Sequence, residues 1–414
     1  MNKKDIKESL RKDISSLVGT NQKIDEAFIV NRAKIFLERL EKVKKVTIKD
    51  SLKKEVANSL CDDFLGLGPI QKLMDDSEIT EIMINGPDKV YIEKSGRKLL
   101  SDVKFDDDTH LRYVVEKMVT PSGRRVDESS PYVDFSLEDG SRVNVILPPL
   151  SVDGISVTIR RFLRSIEKVG DLVRLGTINQ PMAEFLVACI KAKVNIMFSG
   201  ATGSGKTTTL EVLSSYLDSS ERIVTIEDAL ELNLRQDHVV RLLTRPPNIE
   251  GRGEVSPRDL FRNTLRMRPT RIILGEIRGK EAMDYLQALN SGHRGSLSVI
   301  HASDPIDALT RLETMALYAG LNLPAWTIRK QISQGLDLII QQEQLQDGTR
   351  KLTHITEVGE MKDNNIGLRE IFSYEIEELT DDFKVKGSFK AKNKPSFFRI
   401  FAKKGIKISE NIFT

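Results

Sequence analysis

The chain has 414 residues, enough for two or three domains of ordinary size. With 39% apolar and 30% charged residues its composition is globular, which excludes a collagen-like, low-complexity or wholly disordered polymer. Lys plus Arg number 63 against 60 Asp plus Glu, and a net charge of +3 does not suggest a surface coated in basic charge for duplex binding.

The start, MNKKDIKESL, runs from Lys into mixed charge and lacks the apolar stretch of a signal peptide. Residues 1–66 read as a helical bundle. Ile6, Leu10, Ile14 and Leu17 form one stripe, GTNQ at 19–22 is a break, and Ala27, Val30, Ala33, Phe36 and Leu40 form a second. Leu52, Val56, Leu60 and Phe64 form a third. Such a bundle is either a structural element or a docking module for a partner. The two cysteines, Cys61 and Cys189, are far apart and have no CxxC partner, so neither a disulfide framework nor a four-cysteine zinc site is available.

Over 67–165 the period changes. ITEIMING, KVYIEKSG, VDFSLEDGSRVNVILPP and GISVTIRRF are short β-rich segments joined by turn residues, with a helix around 109–120. They predict a mixed α/β domain with an antiparallel sheet. A linker over 166–180 precedes residues 181–365, where the apolar runs VNIMFSG, RIVTIED, TRIILGE and SLSVIHA alternate with helical stretches. Continuous apolar runs of this kind suit a parallel sheet buried on both faces, in a doubly wound domain. No run of about 18 uncharged apolar residues occurs, so no membrane-spanning helix is expected. The extension 366–414 ends in a segment with nine Lys or Arg from Lys384 onward, interleaved with Phe. It reads either as a surface for an anionic membrane or acidic partner, or as a subdomain with Phe in its core and Lys in solvent.

Gly200-Ala201-Thr202-Gly203-Ser204-Gly205-Lys206-Thr207 matches G-x-x-x-x-G-K-[ST], follows an apolar strand and opens a helix. Glycines let the backbone amides approach phosphate, the helix start adds its positive end, Lys206 supplies a mobile charge, and Thr207 offers a hydroxyl to Mg²⁺. These eight residues with Thr208 are the candidate nucleotide contacts. Two predicted strands end in acids, Glu227 with Asp228, and Glu276. Glu276 is assigned to the Mg²⁺ shell with Thr207 and Glu227 to polarising the attacking water; the reverse assignment, or a helix-capping role for either, stays open. His301 closes another apolar strand and is a candidate sensor near the γ-phosphate; His293 is a weaker one. Neither has the company of a metal site. Arg262 and Arg266 are four apart, hence on one predicted helix face, and Arg142 and Arg160 lie in the β-rich domain. Each is a candidate for stabilising transition-state charge, or a solvated or carboxylate-paired arginine.

GATGSGKTTTLE, TIEDALEL, NTLRMRPTRIILGEIRGKEA and SGHRGSLSVIHA resemble the Walker A, Asp box, Walker B and His box of the type II/type IV secretion ATPase superfamily. RPPNIEGRGEVSPRDL and GRRVDESSPYVDFSLEDGSRVN are similar to its CpaF-like branch, the motors of tight-adherence (Tad) pili. The likeness runs over about 62–360. It implies a RecA-like P-loop domain with a parallel sheet, preceded by a PAS-like α+β domain, within an α/β chain that opens with a helical segment. It also implies a homohexamer that hydrolyses ATP with Mg²⁺ and moves its domains against an inner-membrane platform. The chain would be cytoplasmic and peripheral to that membrane, with no nucleic-acid partner. The family's arginines match Arg142, Arg160, Arg262 and Arg266, and its acids match Glu276 and Glu227. Two cysteines cannot make the four-cysteine zinc module that type II secretion motors often carry. A nucleic-acid translocase lacks support in charge or aromatic pattern, and the two acids argue against a scaffold that binds ATP without hydrolysing it.

Overall fold

The computed structural model describes the chain except residues 1–2, 17–24, 46, 95, 162–165, 246, 248–250, 381–383 and 414. It divides into two compact units, Met1–Leu163 and Arg164–Thr414.

The first unit opens with helices α1 (Lys3–Ser15), α2 (Glu26–Lys44) and α3 (Asp50–Leu65). Asp25 caps α2 by accepting from the Phe28 N–H, which satisfies one orphan donor of the first turn. Their shared core is Ile6, Leu10 and Ile14 from α1, Ile29, Ala33 and Leu37 from α2, and Val56 and Leu60 from α3. On α2 the buried stripe differs from the expected one. Ala27 and Val30 are exposed, Ala33 is buried as read, and Phe36 and Leu40 pack partly at the rim. Both α2 stripes are apolar, so spacing alone could not choose between them; contact with α1 and α3 did. The expected break at 19–22 and Leu17 lie outside the described residues.

After the short α4 (Gln71–Asp75) come β1 (Ile79–Asn85), β2 (Val90–Lys94), β3 (Arg97–Leu100), α5 (Asp108–Val119), β4 (Tyr132–Ser136), β5 (Arg142–Ile146) and β6 (Ser156–Arg160). The strands form an antiparallel sheet in the order β3-β2-β1-β6-β5-β4. Alternate residues such as Val143, Val145, Val157 and Ile159 are buried with Leu111, Val114 and Met118 of α5. One face is therefore wet and one dry, the usual state of an antiparallel sheet.

A buried ionic junction ties α1 and α3 to the α5 region. The fully buried Asp63 accepts from Arg11 Nε at 2.7 Å and lies 3.0 Å from His110 Nε2. Asp106 takes Arg11 Nη2 at 2.5 Å and Lys7 at 3.1 Å. Burial pushes the Asp63 carboxyl up, but His110 and Arg11 outweigh it and hold it below the ordinary carboxylate value. A depressed folded value means that this stability is present above the ordinary carboxylate range and is lost as pH falls through the folded value. Asp63→Ala leaves Arg11 and His110 with Asp106 alone at this buried junction, and should cost about 3 kcal/mol. Urea unfolding of the intact chain at pH 7 checks this: a loss below about 1 kcal/mol in the amino-terminal transition refutes the junction's structural role.

In the second unit α6 (Val169–Arg174) occupies part of the stretch read as a linker, and α7 (Gln180–Lys191) follows, capped by Asn179. Then come β7 (Ile196–Ser199), α8 (Lys206–Ser214), β8 (Ile223–Glu227), β9 (Val239–Leu243), α9 (Pro257–Thr264), β10 (Arg271–Leu274), α10 (Glu281–Asn290), β11 (Leu297–Ile300), α11 (Pro305–Leu317) and α12 (Ala325–Gly335). The chain ends with β12 (Leu338–Gln344), β13 (Arg350–Lys362), β14 (Asn365–Leu379), β15 (Val385–Ala391) and α13 (Arg399–Lys403). The sheet order is β15-β14-β13-β12-β7-β11-β10-β8-β9. From β12 to β9 neighbouring strands are parallel, and from β12 to β15 antiparallel. The four apolar runs are thus β7, β8, β10 and β11.

Successive residues of these strands serve opposite faces. Ile196, Phe198, Ile273, Leu297 and Val299 pack with α7 and α8, whereas Met197, Ile272, Leu274 and Ile300 pack with α10, α11 and α12. That two-sided burial is why the runs are continuous rather than alternating. β14 starts at Asn365, so the sheet continues into the stretch read as an extension. There Phe401 and Phe413 are buried beside Phe185, with ring centroids 6.2 and 5.5 Å away, and Lys403, Lys404 and Lys407 are exposed. Among the described residues no helix is long and apolar enough to cross a membrane.

Candidate nucleotide-binding site

Strand β7 is buried along its whole length and delivers the chain to the loop 200–205, after which α8 begins at Lys206. Glycine is demanded sterically here. Gly200 has φ 149°, and a Cβ there would collide with the carbonyl oxygen of Gln342 and lie 2.8 Å from Ser204 Oγ. Gly205, at φ 96°, would place a Cβ 2.8 Å from Gln342 Nε2. Ser204 Oγ is buried in the loop without a hydrogen-bond partner. Lys206 is only 5% exposed, and its ammonium donates to the Gly200 and Ala201 carbonyls at 2.8 and 2.7 Å. A narrow cradle of amides, an unsatisfied hydroxyl and a cation held on weak carbonyl acceptors fit a phosphate group.

The parallel order places the ends of β8, β10 and β11 beside this loop. His301, just past β11, lies 3.5 Å by Nδ1 from Lys206 Nζ, and its Nε2 is 3.6 Å from Glu276 Oε1. Glu276 is thereby joined to the loop through one imidazole. Burial pushes its carboxyl up; Arg278 and Lys206 oppose this, and Asp228 and Glu231 add to it. Glu227 is 4% exposed. Its Oε2 accepts from the Glu231 and Leu232 N–H groups, each at 2.8 Å, and Thr225 donates to Oε1 at 3.1 Å. Burial raises the Glu227 carboxyl too, more than those donors lower it. The carboxylate is thus desolvated and aimed by its own turn. Thr207 Oγ1 lies 3.5 Å from Glu231 Oε2. Ala201 and Thr202 are exposed at the loop's crest, and Thr208 is half-buried in the first turn of α8. Among the described residues no cluster of three or more His, Cys, Asp or Glu could hold a metal by itself. The donors present, Thr207 and nearby carboxylates, fit Mg²⁺, which keeps waters and takes phosphate oxygens.

The arginines differ. Arg142 and Arg160 are exposed and stand directly opposite each other on β5 and β6. On its other side Arg160 stands opposite Glu81 of β1. Arg262 donates Nε to Asp284 at 2.9 Å, and Arg258 binds the same carboxylate at 2.7 Å, so Arg262 is carboxylate-paired. Arg266 does not share its helix face: α9 ends at Thr264, and Arg266 lies in the turn beyond, its N–H on Asn263 O at 2.9 Å. The helix runs only about two turns from its cap, Ser256, and the chain leaves it before Pro269. His293 sits at the other end of its segment, in the turn after α10.

Three contacts at the loop escaped the sequence reading. Glu231 approaches Thr207; Gln342 accepts from Thr209 Oγ1 at 2.8 Å; Arg350 donates Nε to the Gly203 carbonyl at 2.9 Å. Glu231 carried a faint signal, lying four residues after Glu227. Gln342 and Arg350 are over 130 residues from the loop and carried none.

A mixed α/β sheet with a G-x-x-x-x-G-K-T loop between its strand β7 and helix α8, and acids on adjacent strand ends, defines a P-loop protein. A family model described as type II/IV secretion system protein matches residues 63–372. The chain is 32% identical over 304 residues to VirB11 of Agrobacterium tumefaciens (strain 15955), a match covering 66% of this chain and 88% of VirB11. It is 34% identical over 293 residues to the type IV secretion system protein PtlH of Bordetella pertussis (strain Tohama I), covering 64% and 85%. Among solved structures, the pilus retraction motor PilT with bound ADP has a TM-score of 0.51 at 20% identity, covering 72% of this chain and 84% of PilT; that likeness bears on fold. The chain belongs to the type II/IV secretion system protein family, a family of ATPases.

Proposed function

We propose that this chain is a homohexameric ATPase motor of the CpaF-like branch, which uses ATP and Mg²⁺ to drive assembly or retraction of a Tad pilus through an inner-membrane platform. The observation that carries the reading is the glycine-locked loop with Lys206 at its centre and two acids on the neighbouring strand ends, Glu227 buried and Glu276 half-buried. In this reading the amides of 203–207 hold the β- and γ-phosphates, and Lys206 exchanges its loop carbonyls for phosphate oxygen. Glu227, raised by burial and fixed by the turn amides, takes a proton from the attacking water. A Mg²⁺ ion bound with the nucleotide would neutralise phosphate charge, with Thr207 and Glu276 as its protein-side holders, directly or through water. His301 bridges Lys206 and Glu276, and so senses whether the phosphate is present.

Arg142 and Arg160, opposite each other on β5 and β6 of the first unit, are read as arginines that stabilise transition-state charge. Arg262 and Arg266 would act from the second unit, Arg262 by exchanging Asp284 for phosphate. The first unit, with one sheet face covered by α5, is read as the PAS-like domain, and the chain as peripheral at the cytoplasmic face of the inner membrane.

A second reading, the ATPase of a type IV secretion system, is favoured by the similarity to PtlH, which is named for that role. Deleting the gene, imaging surface fibres and complementing with Glu276→Ala separates the two. Loss of fibres in the deletion strain, unrelieved by the variant, is expected; unchanged fibres in both strains remove the pilus assignment.

A further inference from the structure

We propose that the second unit carries another anion site, at the edge of its sheet opposite the phosphate loop, that takes a phosphate or diphosphate group. The loop lies at the carboxyl ends of the parallel strands. Around the amino ends of β8, β10 and β11 opens a pocket of about 660 Å³, a size typical of small-molecule sites. Its wall is chemically one-sided: Lys193, Arg222, Arg268, Arg294, His238 and His293 line it, with two hydroxyl residues and no carboxylate.

Groups behind the wall take up part of this charge. Asp337 pairs with Arg294 at 2.7 Å. Glu221 reaches Lys193 only at 3.5 Å, because the buried Arg271 holds it at 2.5 Å. Arg222 donates Nε to the Met267 carbonyl at 2.9 Å and Nη1 to His238 Nε2 at 2.6 Å. Helix ends favour cations, and α7, α9 and α10 all end nearby. What remains is still strongly positive. Among the described residues neither Arg222 nor Arg268 has a carboxylate partner, and His293 Nδ1 is buried with no hydrogen-bond partner.

The backbone gives an independent sign. Lys193 (φ 60°) and Arg268 (φ 54°) sit in left-handed positions beyond the ends of α7 and α9, where glycine would be unstrained. Long cations are kept there despite the steric strain, and both face one pocket. Beyond the two imidazoles the lining carries no aromatic ring, and Pro269 is its one large apolar side chain, so the phosphate itself, rather than a base or an acyl chain, is the recognised group.

The test uses the full chain with Lys206→Ala, which silences the loop, titrated calorimetrically with inorganic pyrophosphate. Binding is expected, and adding Lys193→Asn with Arg268→Asn should raise the Kd at least tenfold. Asparagine tolerates the left-handed backbone, so the melting midpoint should hold; if the double variant melts lower, Arg268→Asn alone is compared, with a threefold or greater rise expected. No binding to the Lys206→Ala protein, or equal affinity in the asparagine variants, overturns the proposal. Sedimentation with phosphatidylcholine vesicles, with and without phosphatidylglycerol, identifies the source. Pelleting that needs both the anionic lipid and the two cations assigns a lipid headgroup; pyrophosphate binding without it assigns a soluble phosphate compound.

Discussion

Lys206→Ala is expected to lower ATP turnover of the assembled protein by about 10²–10³-fold or more, the loss typical when one preorganised charge-stabilising donor is removed. The ammonium is nearly buried and donates to the Gly200 and Ala201 carbonyls, with His301 at 3.5 Å. Carbonyls are poor counterions, so exchanging them for a phosphate oxygen is favourable. The same contacts contribute little to folding, and the melting midpoint of the variant without nucleotide should stay close to the parent's. Steady-state phosphate release alongside thermal unfolding checks both halves. Parent-level turnover in the variant would remove the loop from the mechanism.

The second large effect separates the two acids. Glu227→Gln is expected to lower single-turnover hydrolysis by about 10²–10⁴-fold while nucleotide still binds, because the amide cannot accept the water's proton. The substitution keeps an oxygen for the Glu231 and Leu232 amides, so the turn should survive. Glu276→Gln should instead raise the Mg²⁺ concentration needed for half-maximal rate. The carboxyls of both are raised by burial, so the parent's rate should climb with pH through a value above the ordinary glutamate range. The part of that acidic limb that belongs to Glu227 should vanish in Glu227→Gln measured at saturating Mg²⁺. If Glu227→Gln alters only the Mg²⁺ requirement and Glu276→Gln only the rate, the two roles are reversed.

The phosphate loop was legible because its chemistry is local: glycines, lysine and threonine within eight residues, between an apolar strand and a helix. The four parallel strands were legible for a similar reason, since burial on both faces writes a continuous apolar run. The amphipathic reading of α2 failed by two positions. Its Ala27, Val30, Phe36 and Leu40 are as apolar as Ile29 and Leu37, and only the neighbouring helices select which of them are covered. Arg266 was read onto a helix that stops two residues earlier, a boundary that side-chain spacing does not encode.

Sequence alone determined that a nucleotide loop exists, which strands carry the acids, and which family signature they compose, because each rests on neighbours within a few residues. Tertiary structure decided which distant groups complete the site. Gln342 against Gly200, Arg350 on Gly203, and His301 between Lys206 and Glu276 all follow from strand order and register. Strand pairing is a contest among long-range contacts, settled by the burial of whole faces, and no local pattern along the chain records its outcome.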